Sequence, residues 1–359
     1  MNYFEKVVIK NWRFFQKAAN HFQGPIINTR VHRVWKKPCQ ILIQTESGNS
    51  YRDHKSRGTF RDRSNFLLPA GGVLMSLFKW GDEEEDPIPE LIMTLKRSIW
   101  LIQKEDYKKA EQMLHVALRQ AQALQHYEGI TYVYDIMANL AFEVGDYKKA
   151  NTLFVSVMQR LISTGTPKDD IKIVHISLKM AKLFQHMGDL EKAEQGYEFC
   201  LKSLQDQMEK EPENEDVLVL WAMSCDWYAK MLLSQSKFGT ALKNIEQAYK
   251  VCLKVHGREH EQTVVLLNDL GTISCLAGDD EQAINYLTSA AEIGTKLPDM
   301  QDLGAVHVNL GGVYLKKGLY NEAKKFCEEG RKIATTRNNQ ECLDEANECL
   351  KTVKQFLKT

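Results

Sequence analysis

From about residue 91 onward, small and apolar residues recur at fixed offsets inside units whose separation varies. An alanine marks each recurrence: Ala110, Ala150, Ala193, Ala241, Ala283 and Ala323, spaced 40, 43, 48, 42 and 40 residues apart. Twelve residues before each marker stands a small residue: Ser98, Ala138, Ala181, Ala229, Gly271 and Gly311. Four residues after it stands a bulkier apolar or aromatic one: Leu114, Phe154, Tyr197, Ile245, Leu287 and Cys327. Seven after it the position is small or modest again: Ala117, Val157, Cys200, Ala248, Ala290 and Gly330. Steps of four and seven keep side chains on one face of a helix. Constant spacing inside a unit and variable spacing between units is what a rigid motif with adjustable loops produces.

The punctuation agrees. Gly145, Gly188, Gly278 and Gly318 stand five residues before their markers, where glycine accepts the positive φ that ends a helix and turns the chain. Asp146, Asp189 and Asp279 follow three of them, as helix N-caps. Each recurrence predicts helix, tight turn, helix. The paired small residues let the two helices approach, and the bulky residue fills the gap beside them. Repeat one has Glu105 and repeat four Ser236 in place of the turn glycine. The extra length near "STGTPKDD" and "EKEPENED" predicts extended helices. Residues 338–358 predict a closing helix with Leu343, Ala346, Leu350, Val353 and Leu357 as its apolar stripe and Lys351, Lys354 and Lys358 on its wet side.

Charge divides the chain. The total is zero, which gives no general pull toward nucleic acid. Residues 1–65, however, hold 13 Lys and Arg against four Asp and Glu, a net of +9 balanced by −9 over residues 66–359. In "MNYFEKVVIKNWRFFQKAANHF", Lys6, Lys10, Arg13 and Lys17 share one helical face, with Phe4, Val8 and Phe15 largely away from it. That basic amphipathic pattern predicts a mitochondrial transit peptide over 1–65, with a disordered basic tail as the plainer alternative, and no secretory apolar core follows the first basic group. The stretch from Phe66 to Phe78 is apolar apart from Ser76 and contains Pro69, Gly71 and Gly72. Its 13 residues fall short of the roughly 20 of a comfortable spanning helix. It is expected to be a short membrane or sorting segment (66–80), followed by an acidic, proline-containing linker (81–89) and the repeat region (90–359).

Catalytic patterns are missing. There is no phosphate-binding glycine loop, no dinucleotide fingerprint, no G-x-S-x-G and no H-E-x-x-H. The eight cysteines form no C-x-x-C pair and are expected to be reduced structural thiols, Cys342 and Cys349 included. His256 and His260 flank Gly257 and read as helix-end histidines rather than metal ligands. The acids of "GDDEQA" read as charges at a helix N-terminus. The expectation is a protein that is not an enzyme, with no metal, no cofactor, no small-molecule substrate and no nucleic-acid partner. An enzyme with an unrecognised site is the outlying reading.

The pattern of small residue, glycine turn and alanines resembles the tetratricopeptide repeat family over about 91–336. The resemblance implies an all-α, right-handed superhelical solenoid of about six repeats with a C-terminal capping helix. Spacings of 40 or more are similar to the long repeats of kinesin light chains, most of all in "HGREHEQTVVLLNDLGTISCLAGDDEQA". In tetratricopeptide arrays the first helices line the concave side. That implies a partner-binding face including Tyr132, Asp135, Asn139, His175, Lys182, Gln185, Asp226, Lys230 and Asn268. With Lys182 and Lys230 as its only cations, this set matches the dense carboxylate clamp of co-chaperones poorly. "TYVYDIMANLAF", "ISLKMAKLF" and "GYEFCLKSL" are similar to a mitochondrial branch of the family. The likeness implies a non-catalytic adaptor at the matrix side of the mitochondrial inner membrane. Its partners would be respiratory complex III and its Rieske iron–sulfur subunit, whose fragments it helps to clear. It would reach the membrane through residues 66–78 or through the complex. The competing reading is a cytosolic peptide-binding adaptor, kinesin-light-chain-like or co-chaperone.

Overall fold

The computed structural model describes residues 88–357 apart from residue 299. The transit peptide, the apolar segment from Phe66 to Phe78 and most of the acidic linker lie outside the described residues. Within them there are thirteen α-helices and no strand. They are α1 (Ile88–Gln103), α2 (Tyr107–Ala123), α3 (Tyr127–Glu143), α4 (Tyr147–Ser163), α5 (Ile171–Met187), α6 (Leu190–Lys210) and α7 (Glu215–Ser234). There follow α8 (Phe238–His256), α9 (Glu261–Ala277), α10 (Asp280–Lys296), α11 (Leu303–Lys316), α12 (Tyr320–Thr336) and α13 (Gln340–Phe356). Two compact bodies divide them, residues 88–224 and 225–357, with the division inside α7. Of the expected helix–turn–helix repeats, α1 packs on α2, α3 on α4, α5 on α6, α9 on α10 and α11 on α12, α7 and α8 follow one another around the turn at Ser236, and α13 closes on α12.

All twenty-four positions of the repeat pattern are buried. The glycine positions show how tightly the pattern packs. A Cβ on Gly271 would lie 2.5 Å from Leu287 Cγ and 3.1 Å from the Ala283 carbonyl oxygen. The small residue of α9 therefore faces both the marker alanine and the bulky residue of α10, as the spacing predicts. In the first body the core is continuous over α1–α3, from Leu91, Leu95 and Ile99 through Ala110, Leu114 and Ala117 to Val133, Ile136 and Leu140. Each fully buried leucine or phenylalanine of this kind contributes about 1.5–3 kcal/mol.

The turns are more uniform than the residues that make them. Gly145, Gly188, Gly278 and Gly318 have φ of 83°, 82°, 92° and 74°. Glu105 and Ser236, which replace glycine in repeats one and four, both adopt φ of 58°. The neighbouring helices impose the left-handed turn on side chains that disfavour it. After the turn, Asp106, Asp146, Asp189 and Asp279 accept the backbone N–H of Lys109, Lys149, Lys192 and Gln282. These caps satisfy amides that the first helical turn leaves without partners.

Three sequence expectations need correction. "EKEPENED" does lie between longer helices, α6 with 21 residues and α7 with 20. "STGTPKDD" does not lengthen a helix: α4 stops at Ser163, Gly165 turns the chain at φ 79°, and α5 starts only at Ile171. The closing helix ends at Phe356, so Leu357 is its exposed C-cap and no part of the apolar stripe. The stripe is completed instead by Cys342, Cys349 and Thr352. Finally, Cys327 and Cys349 are not reduced thiols but form a disulfide between α12 and α13. Cys327 occupies the inward bulky position of repeat six, and Cys349 lies on the buried face of α13 that packs over it.

Candidate functional site

The polar residues of the first helices are far less exposed than a solvated face would be. In the first body, Asp135 on α3 accepts from Lys179 on α5, with Lys179 Nζ 2.9 Å from Oδ1 and 3.1 Å from Oδ2. The Lys179 side chain is only 7% exposed and that of Asp135 22%. Asn139 is buried one turn along α3, its Nδ2 donating to the Asp135 carbonyl oxygen at 2.8 Å. Its Oδ1 is also buried and meets no hydrogen-bond donor among the described residues. Burial and the nearby Asp135 carboxylate raise the Tyr132 phenol above its ordinary range. Burial and the Lys179 ammonium hold His175 well below the usual imidazole value, so it is neutral at physiological pH. Tyr132, Asp135 and His175 are thus joined in one electrostatic group around Lys179, a residue absent from the expected face, while Asn139 bonds to the backbone of its own helix.

The remaining positions separate. Gln185 faces its own hairpin: its Oε1 accepts from the Tyr197 hydroxyl at 2.8 Å. Lys182 is 8% exposed, so reversing its charge would burden the fold as well as any partner contact. In the second body, Lys230 Nζ donates to Asp226 Oδ2 at 2.7 Å along α7, while Asp226 Oδ1 is buried with no donor among the described residues. Asn268 is buried on α9, and its Oδ1 accepts from Asn309 Nδ2 on α11 at 2.9 Å.

A register rule connects the two inter-repeat bridges. Asp135 and Asn268 each stand three residues before the small residue of their repeat, Ala138 and Gly271. Lys179 and Asn309 each stand two residues before the small residue of the next repeat, Ala181 and Gly311. The same pair of positions therefore carries an ion pair between repeats two and three and a carboxamide pair between repeats five and six. Aligning the repeats on their small residues and reading polar residues column by column would have found Lys179 and Asn309.

The face offers recognition groups and no evident nucleophile. Burial pushes the Cys200 and Cys342 thiols up to about 12 and the Cys275 thiol up to about 11. They stay protonated at neutral pH. His256 and His260 stack at 4.4 Å between ring centroids, and His260 Nδ1 caps α9 by accepting from the Gln262 N–H at 3.1 Å. Among the described residues, no group of three or more His, Cys, Asp or Glu is placed to hold a metal ion. Among the same residues, no helix is long and apolar enough to cross a membrane.

The family model for the tetratricopeptide repeat matches residues 218–296. A Drosophila melanogaster protein named tetratricopeptide repeat protein 19 homolog, mitochondrial, is 35% identical over 335 residues, 93% of this chain and 91% of the relative. This chain belongs to the tetratricopeptide repeat protein 19 family. The Homo sapiens member, named as mitochondrial, is 32% identical over 269 residues, 72% of this chain and 70% of its own length. Solved structures agree on the fold. BtubC (BKLC) from P. vanneervenii superposes with a TM-score of 0.55 at 21% identity, covering 66% of this chain and 92% of that one. A signal-transduction ATPase from Pyrococcus horikoshii with a tetratricopeptide repeat sensor gives a TM-score of 0.56 at 15% identity, covering 82% of this chain and 45% of that one. The Asp135–Lys179 and Asn268–Asn309 bridges described above are thus features of a tetratricopeptide repeat protein 19 family member.

Proposed function

We propose that this chain is a non-catalytic mitochondrial adaptor at the matrix side of the inner membrane. It docks on assembled respiratory complex III and promotes removal of Rieske iron–sulfur subunit fragments. The observation that carries the reading is the 35% identity over 335 residues to a relative named mitochondrial, a span reaching into the basic N-terminal part of the chain. The polar first-helix face supports a binding role. Its charges are held in place before any partner arrives, which lowers the ordering cost of association.

The test is affinity purification of the tagged full-length protein from mitochondria, alongside mitochondria that lack it. Complex III subunits should co-purify with the protein. Loss of the protein should leave complex III assembled, less active and burdened with Rieske fragments. No co-purification with complex III and no fragment accumulation would refute the proposal.

A further inference from the structure

The end of the repeat pattern carries a chemical change. In repeats one to five the position four residues after the marker holds Leu114, Phe154, Tyr197, Ile245 and Leu287, and in repeat six it holds Cys327. A cysteine fills less volume than any of these. It is bonded to Cys349 of the closing helix across a Cα–Cα distance of 6.3 Å. Space for this sulfur exists because the facing small position is Gly311, where a Cβ would collide with Cys327 Sγ. Leu350, Val353, Tyr314, Leu315 and Tyr320 enclose the bond. At the far end of the same helix, Phe356 stacks on Tyr320 with ring centroids 5.1 Å apart.

We propose that Cys327 and Cys349 are a redox site that controls the seating of the closing helix, with a low-molecular-weight disulfide of the glutathione type as oxidant. The Cys349 thiolate attacks the donor disulfide, forming a mixed disulfide and releasing one thiol. The Cys327 thiolate then attacks the Cys349 sulfur and releases the second. The protein loses two electrons and two protons, the donor S–S bond is reduced to two thiols, and one intramolecular S–S bond forms. A low-molecular-weight thiol in excess runs the steps backward. Cys327 is fully buried and Cys349 is 8% exposed, so exchange in either direction requires α13 to lift from α12. The oxidised bond holds the helix down. Reduction leaves it held by side-chain packing alone over a repeat whose bulky residue is only a cysteine.

The experiment uses the full-length protein, equilibrated with oxidised or with reduced glutathione and then thiol-blocked. One half is mapped with trypsin, and the other is followed by hydrogen exchange. Oxidised protein should yield peptides 326–331 and 338–351 joined through Cys327 and Cys349, with Cys342 blocked as a free thiol. Reduced protein should yield the two peptides separately, and α13 amides should exchange at least about tenfold faster, as local opening without the cross-link becomes easier. Cys349→Ser should exchange at the fast rate in both buffers. Recovery of Cys327 and Cys349 as blocked thiols in the oxidising buffer would overturn the site, as would a link to Cys342. Equal α13 exchange in the two buffers, measured on the unmutated protein, would overturn the control of the helix.

Discussion

Removing the carboxylate of Asp135 should cost more than removing the ammonium of Lys179, although both changes delete the same ion pair. Asp135→Leu strands a lysine whose side chain is 7% exposed, over the ring of Phe154 at 5.9 Å, where water reaches it poorly. Breaking a buried pair from one side costs about 3–5 kcal/mol, and Asp135→Leu should lie in that range. Lys179→Met strands a carboxylate that is 22% exposed and can be hydrated in part, so about 1–3 kcal/mol is expected. The double change should return to within about 1 kcal/mol of the unmutated protein, because a buried ion pair and a well-packed apolar pair are often close in stability. Neither substitution touches the Asn139 bond, which runs to the Asp135 backbone oxygen. The assay is urea unfolding read by hydrogen exchange in α3 and α5 peptides, which follows the first body by itself. Equal costs for the two single changes, or a double change as damaging as Asp135→Leu, would refute the reasoning that burial of the ammonium dominates.

Three further outcomes follow from the geometry. Ser236→Gly should raise the urea midpoint, by about 0.5–1 kcal/mol, because serine at φ 58° pays a steric cost that glycine avoids; a lower midpoint would show that the serine side chain stabilises the turn. Gly271→Ala should cost about 1–3 kcal/mol in thermal unfolding, since its Cβ would press on Leu287 and Ala283, whereas Gly239→Ala on α8, with nothing within 4 Å, should stabilise by about 0.5–1 kcal/mol. Acidification should destabilise the fold from about pH 6.5 downward. His175 and His307 are held below the ordinary value near 6.5 chiefly by burial, and His260 is held at about 4 by burial and His256. The unfolded chain then binds protons that the folded one does not. Their stabilising contribution is complete above about pH 6.5 and falls below it, that of His260 being lost as pH falls through about 4. His260→Asn keeps an acceptor for the Gln262 N–H and should flatten the urea midpoint profile of the second body; an unchanged profile would remove His260 from the account.

The sequence by itself determined the repeat. Six markers at constant internal offsets placed every small and bulky core position, since helix–helix packing within a hairpin depends on spacing along two adjacent helices and spacing is visible in one dimension. The turn at Glu105 and Ser236 was legible from register even where the residue type was wrong for it. Tertiary structure alone decided which polar groups meet. Asp135 and Lys179 are 44 residues apart, and Asn268 and Asn309 are 41 apart. Their pairing depends on how one hairpin stacks on the next, which no periodicity within a hairpin encodes. The same holds for Cys327 and Cys349. As residues they read as two small hydrophobes in two helical stripes, and only the descent of α13 onto α12 brings their sulfurs together. Side-chain burial on the first helices was likewise invisible in one dimension, because Asp135 and Phe154 of the neighbouring repeat, not the helix itself, enclose Lys179.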